Sequence, residues 1–190
     1  MKKTALIFAV CTIFSLASFA QTWTLDPAHS KLGFSITHMM ISDVDGAFTN
    51  FEAKITSSKE DFSDAVIELT ADANSVSTDN EKRDGHLKTE DFFDVAKYKT
   101  VTFKSKSVQK VGDNKYKVTG DLTLHGVTKP IVLTATVVGT AVHPQSKKEL
   151  VGLKVSGVIK RSDFGIGAGF PAPMLGDEVT IAGDFEFVKE

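Results

Sequence analysis

The chain has 190 residues, 22 Lys and Arg against 24 Asp and Glu, a formal charge of −2 and one cysteine. That is the length of one domain, and its scattered charge, with no Lys/Arg block, excludes nucleic acid and anionic membrane surfaces as electrostatic partners. The lone Cys11 lies in an apolar N-terminal run, so the remainder has no disulfide, no thiolate nucleophile and no thiolate metal site.

Met1-Lys2-Lys3 forms a short positive segment, and Thr4 to Phe19 is almost wholly apolar. Ser18-Phe19-Ala20 places small residues where a signal peptidase reads, and polar Gln21-Thr22 follows at once. The run is short for a membrane span. The expectation is a signal peptide over residues 1–20, cleaved after Ala20, and a periplasmic or secreted domain over residues 21–190. Loss of Lys2 and Lys3 takes the formal charge from −2 to −4.

The domain opens with strand-like Trp23 to Leu25. Leu32, Phe34, Ile36 and His38 then alternate with Lys31, Gly33, Ser35 and Thr37, and Gly46 to Ile55 and Ala65 to Asp72 read as further strands. After a central helical stretch, Val101, Phe103 and Ser105 alternate with Thr102, Lys104 and Lys106. Tyr116, Val118, Gly120, Leu122 and Leu124 do the same, as do Ile131 to Val137, Val151 to Ile159 and Val179 to Phe187. One apolar and one polar face per run is the pattern of half-buried antiparallel strands. Turn chemistry punctuates them at Gly112-Asp113-Asn114, His125-Gly126, His143-Pro144-Gln145 and Gly176-Asp177. About eight long antiparallel strands in one chain expose two edges unless they close, so the expected fold is an all-β antiparallel barrel. Such a barrel is filled by side chains or holds one small ligand. Beyond the leader, eleven Phe face three Trp and Tyr, which suits either outcome.

The central stretch carries Thr78-Asp79-Asn80-Glu81, a capping box, and predicts a short helix from about Asp79 to Leu87. Thr89 is placed to cap a second turn. Leu87, Phe92 and Phe93 then point onto the barrel. Gly85 weakens this helix by ~1 kcal/mol relative to alanine. Arg83, Asp84 and His86 are the best candidates to meet a ligand head group, because Arg offers a fork matched to carboxylate or phosphate; the alternative is an Arg–Asp pair fixing helix to wall. His38 ends an inward-reading strand and either meets a head group or bonds a backbone carbonyl. His29 reads as part of a turn network with Asp26, and Arg161 with Asp163 as a structural clamp. Met39-Met40 reads as a greasy loop at a barrel mouth rather than as soft metal ligands.

Sharper motifs fail. Gly165-Ile166-Gly167-Ala168-Gly169 lacks the strand–turn–helix setting of a nucleotide loop and reads as a flexible rim loop. The five histidines His29, His38, His86, His125 and His143 show no paired ligand spacing, and no nucleophile elbow or zincin pattern occurs.

A family resemblance adds to this. Asp26-Pro27-Ala28-His29-Ser30 with Phe34 and His38, then Gly46-Ala47-Phe48-Thr49-Asn50-Phe51, resemble the opening of the YceI-like family. Ser75-Val76-Ser77-Thr78, Arg83-Asp84-Gly85-His86-Leu87, Asp91-Phe92-Phe93-Asp94 and Phe103-Lys104-Ser105 continue it. Gly120 to Pro130, Arg161-Ser162-Asp163-Phe164-Gly165 and Gly176-Asp177-Glu178-Val179 complete it in order. The resemblance implies a lipocalin-like periplasmic barrel binding an isoprenoid or other long-chain amphiphile. On that reading Phe34, Ile36, Phe48, Leu87, Phe92, Phe103, Leu122, Leu133, Val155, Phe164 and Phe185 form the apolar cavity. His38, Arg83, Asp84 and His86 form its polar mouth. No cofactor, metal or catalytic residue is expected; the ligand is an isoprenoid or fatty-acyl lipid. Transient membrane contact and a homodimer stay open. The rivals are an enzyme acting on such a lipid, with His38 or His86 as base beside Asp84, and a ligand-free structural or stress-response module.

Overall fold

The computed structural model describes residues 20–190, so the leader expected over residues 1–20 lies outside the described residues apart from Ala20. β1 (Gln21–Leu25) and β2 (Lys31–His38) are separated by a single 3-10 turn, Pro27–His29. β3 (Ser42–Phe48) and β4 (Phe51–Ser57) are separated by Thr49-Asn50. β5 (Val66–Asp72) and β6 (Val76–Ser77) flank a second 3-10 turn, Ala73–Ser75. After α1 (Glu81–Leu87) come β7 (Thr100–Gly112), β8 (Lys115–Leu124), β9 (Val127–Val142), β10 (Glu149–Lys160) and β11 (Leu175–Lys189).

Strand pairing reduces the eleven strands to eight staves. β1 pairs the end of β11, Trp23 opposite Lys189, and β2 pairs its beginning, Phe34 opposite Ile181, so β1 and β2 form one stave. Likewise β4 pairs β1 while β3 pairs β2, and β5 pairs β4 while β6 pairs β3. β7 to β11 supply one stave each, and β1 against β11 closes the ring. Neighbours are sequential and antiparallel throughout, an up-and-down barrel that leaves few strand edges open.

The apparent single run from Gly46 to Ile55 is broken at Thr49-Asn50, where the backbone bonds to Ser75 instead of continuing the ladder, Thr49 N–H to Ser75 O at 3.1 Å. Asn50 N–H donates to Ser75 Oγ at 3.1 Å, and at the two 3-10 turns Asp26 and Asp72 each accept a backbone N–H two residues on, both at 2.9 Å. Gly176-Asp177, read as a turn, instead opens β11, with an irregularity in the pairing between Leu175 and Val179. Its carboxylate accepts from Ser162 N–H at 3.0 Å and Ser162 Oγ at 2.9 Å, which anchors the preceding loop to the strand.

One end of the barrel is sealed. Trp23, Ile55, Val151 and Phe187 form a buried cluster, with the Phe62 ring 5.6 Å from Trp23. Tyr116 Oη donates to Asp61 O at 2.8 Å, and Asp64 accepts from Ser57 Oγ at 2.6 Å, from Ser58 N–H and hydroxyl, and from Lys59 N–H. These donors hold the Asp64 carboxyl far below the usual carboxylate range. The opposite end gathers the β2–β3 turn at Met39 to Ile41, the connection over residues 78–99, and the loop over residues 161–174.

α1 starts later than predicted. Asn80, not Thr78, caps it, accepting Arg83 N–H at 3.0 Å. Thr78 is occupied elsewhere: its N–H and Oγ1 reach Asp84 Oδ1 at 2.8 and 2.5 Å, and its Oγ1 accepts Arg83 Nε–H at 2.7 Å. Thr89 starts no second helix, since its hydroxyl bonds back to His86 O at 2.8 Å and turns follow. Leu87, Phe92 and Phe93 do pack onto the core, Phe93 edge-on to Phe48 at 5.6 Å.

Candidate ligand-binding site

Inside the barrel lies a cavity of about 460 Å³ that opens at the end carrying α1. This is within the roughly 300–1,000 Å³ typical of small-molecule sites. The wall follows from the period of two: Phe34, Phe103, Leu122, Val155 and Ile181 are the inward members of their strands.

Glycines at inward positions make the space. A Cβ built on Gly46 would lie 2.3 Å from Phe34 Cζ, on Gly120 2.5 Å from Phe103 Cζ, on Gly183 2.3 Å from Phe185 Cε2, and on Gly157 2.5 Å from Leu133 Cδ2. Each missing side chain is a seat on which a neighbouring large group lies against the wall instead of projecting into the lumen. Phenylalanines that would fill a barrel of this size therefore line it.

Polar side chains on the wall are few and sit toward the mouth: His38, Thr78, Arg83, His86 and Arg161, with no carboxylate among them. Arg83 donates through Nε to Thr78 Oγ1 and through Nη2 to Thr78 O at 2.8 Å, leaving Nη1 without a partner among the described residues. His86 Nε2 lies 2.9 Å from Asp91 Oδ2, and its ring packs edge-on against Phe92 and Phe170. Phe92 and Phe170 stack at 5.0 Å, joining the helical connection to the loop after β10.

That loop is pinned rather than flexible. Arg161 is buried, and all its donors meet carbonyls: Nε to Gly176, Nη1 to Ile166 and Gly167, Nη2 to Phe170 and Leu175, over 2.6–3.0 Å. It is the clamp expected from sequence, but its partners are backbone oxygens, not Asp163. Gly167, at φ 64°, donates its N–H to Asp91 O at 2.8 Å, and a Cβ there would meet Arg161 Nη1 and Phe92 Cε1 tightly, each at 3.1 Å.

Thirteen of the fifteen residues expected at the site border the cavity; Asp84 and Phe164 do not. Asp84 is turned to Thr78, so the anticipated Arg83–Asp84 pair is a triad through that threonine. Phe164, 1% exposed, is packed within the core at the end of the 3-10 turn Arg161–Phe164, and its carbonyl meets His125 Nδ1 at 3.0 Å. Arg161 and Phe170 were not anticipated on the wall. Outside the lumen, His29 Nδ1 sits 2.8 Å from Asp26 Oδ2 and 4.0 Å from Glu186, a group whose ligating atoms lie within 4.8 Å of one another. The bond with Asp26 raises the His29 pKa, and the same bond lowers that of Asp26.

A closed eight-stave antiparallel barrel with an apolar lumen and a polar mouth defines a class, the lipocalin-like ligand-binding barrels. Comparison with known proteins narrows it. The YceI-like domain matches residues 23–187. UPF0312 protein SA2479 of Staphylococcus aureus strain N315 is 35% identical over 169 residues, 87% of this chain and 96% of the relative. The Campylobacter jejuni YCEI protein is similar with a TM-score of 0.73 and 37% identity, covering 88% of this chain and 97% of that one. Burkholderia cenocepacia BcnA has a TM-score of 0.77 and 26% identity, covering 85% and 98%. A polyisoprenoid binding domain from Saccharophagus degradans shares the fold, with a TM-score of 0.68 and 21% identity, covering 88% and 98%. The chain belongs to the YceI-like family.

Proposed function

We propose that this protein binds one long-chain amphiphile, of isoprenoid or acyl type, in the barrel lumen and carries or stores it outside the cytoplasm without chemically altering it. The observation that carries the reading is the lumen itself: a cavity of about 460 Å³ with a predominantly apolar wall, whose few polar residues among those described lie toward one mouth and are cationic or neutral. A chain laid against the seated phenylalanines leaves its head group beside Arg83, His86 and His38. Nη1 of Arg83, without a partner among the described residues, suits an oxygen-rich or anionic head. The fold is shared with a polyisoprenoid binding domain, which is consistent with this cargo. Asp84, engaged by Thr78, is poorly placed to assist a histidine base, which weighs against an enzyme. The n-region and apolar run of residues 1–20 support export.

Each buried methylene is worth ~0.8 kcal/mol against water, so a full prenyl chain would exceed any real protein–ligand affinity if water were its origin. The relevant competitor is a bilayer. Rough parity with it permits both loading and release.

Native mass spectrometry of the protein isolated without detergent, before and after organic extraction, tests the proposal. A discrete excess mass removed by extraction and restored by offered geranylgeraniol or palmitate is the expected result. A clean mass with no uptake of either would overturn it.

A further inference from the structure

The β2–β3 turn is out of keeping with its sequence. Met39 and Met40 sit at its two central positions with φ of 54° and 61°, closed by Ile41 N–H on His38 O at 3.2 Å. Left-handed backbone at both positions is a hairpin geometry that strongly favours Asn-Gly. Two methionines there are strained, and strain of this kind clusters at functional sites. The strained turn also exposes what soluble surfaces hide: Met39 is 51%, Met40 73% and Ile41 87% exposed, and Met174, whose carbonyl accepts Met39 N–H at 3.0 Å, is 45% exposed.

This apolar tip is continuous with the lumen, because His38 and Met174, whose carbonyls accept hydrogen bonds from the turn, also line the cavity. The wall beside it is also incomplete. β3 pairs β6 only through Ala47 and Phe48, so among the described residues no strand covers its outer edge over residues 42–46. A greasy finger thus stands at the mouth of an apolar cavity, beside a wall edge that no strand covers among the described residues. Its flanks, residues 37–46 and 170–179, carry Asp43, Asp45, Asp177 and Glu178 and no Lys or Arg.

We infer that Met39, Met40 and Ile41 form a docking tip that enters the interfacial layer of an uncharged or zwitterionic bilayer, so that cargo passes between membrane and lumen without crossing water. The inference rests on the lipid-carrier reading above. Apolar side chains supply the binding, and the acidic flanks set the lipid preference by repelling anionic head groups. Attachment is weak and insensitive to salt, as a carrier that must leave requires.

The test compares the parent with Met39→Asn/Met40→Gly, which installs the favoured turn while removing both methionines. Neither residue borders the lumen. The variant should melt no lower than the parent and keep its uptake of geranylgeraniol from solution. Its binding to phosphatidylcholine vesicles and its rate of extracting geranylgeraniol from them should fall by about tenfold. Adding phosphatidylglycerol should weaken binding of the parent. Unchanged vesicle binding by the variant, or parent binding that needs phosphatidylglycerol and fades with salt, would overturn the docking tip. Failure of both proteins to take up geranylgeraniol while the parent still binds vesicles would instead overturn the carrier reading.

Discussion

Gly46→Ala separates the lumen's shape from the stability of the barrel. The three atoms nearest the new methyl all belong to the Phe34 ring, the closest at 2.3 Å. Reaching an ordinary carbon contact of ~3.7 Å requires the ring to move by about 1.4 Å, and the open direction is the lumen. Overpacking costs about 1–3 kcal/mol in a filled core, and the low end applies where a ring has free space to enter. Gly46 has no positive φ, so loss of its unfolded-state freedom returns ~0.4–1 kcal/mol. The extracted protein should therefore keep its stability to within about 1 kcal/mol by denaturant titration. The ligand bears the loss: displacing one to two methylenes' worth of contact at ~0.8 kcal/mol each weakens binding roughly tenfold. Calorimetric titration with geranylgeraniol reads this directly. Gly120→Ala is the contrast, because its Cβ would also meet the backbone Lys104 O at 2.5 Å, so β7 and β8 must shift and stability itself falls by about 2–3 kcal/mol. Unchanged affinity and stability in Gly46→Ala would show that Phe34 does not border the ligand, and the seat argument would fail.

Arg161→Lys should lower stability by about 2–3 kcal/mol and Arg161→Met by about 3–5 kcal/mol in chemical denaturation, because lysine has three donors for five carbonyls and methionine none. A lysine variant as stable as the parent would show that point charge, not the fork, holds the loop. The Asp26–His29 bond stabilises below the ordinary histidine pKa of ~6.5 and above the ordinary carboxylate pKa of ~3.9. The melting advantage of the parent over His29→Gln should thus be fully present near pH 5, fade as pH rises through the raised histidine value, and fade again as pH falls through the lowered aspartate value. An advantage equal at pH 5 and pH 9 would mean that the imidazolium is not the partner. Asp64 contributes above the ordinary carboxylate range and loses that contribution as acid protonates it. Asp64→Asn should therefore melt lower than the parent at neutral pH, and the gap should narrow in strong acid.

The staves were legible because burial on one face imposes alternation: Phe34 opposite Ile181 and Phe103 opposite Leu122 are inward partners whose period is plain in the chain. The breaks were not, because Asp26, Ser75 and Asp72 act through side-chain hydrogen bonds that leave the apolar rhythm nearly intact. Helix position was misplaced for a related reason. Thr78 has the right spacing for a cap, yet a charged neighbour, Asp84, offers its hydroxyl a stronger partner. Arg161 on the cavity wall was hidden because its partners are carbonyls, which every residue carries. The lumen was only half visible: Phe excess fits a full or a hollow barrel, and glycines in the inward register, such as Gly46 opposite Phe34, are the signal that separates the two.

The broken staves divide the barrel's resistance to opening. β2, β3 and β6 hang together from β11 and end in an unpaired edge, whereas β1, β4 and β5 are built into the closed ring. A panel fastened along one side can swing away from β11 without breaking the ring, so it should open as a cooperative unit of its own. Amide exchange in Phe34 to Val44 should then proceed through partial opening, while β8, β9 and β10 exchange only on global unfolding. Ligand laid against Phe34 and Phe48 would slow the first class and leave the second unchanged, so occupancy could be timed from exchange rates alone, without seeing the cargo.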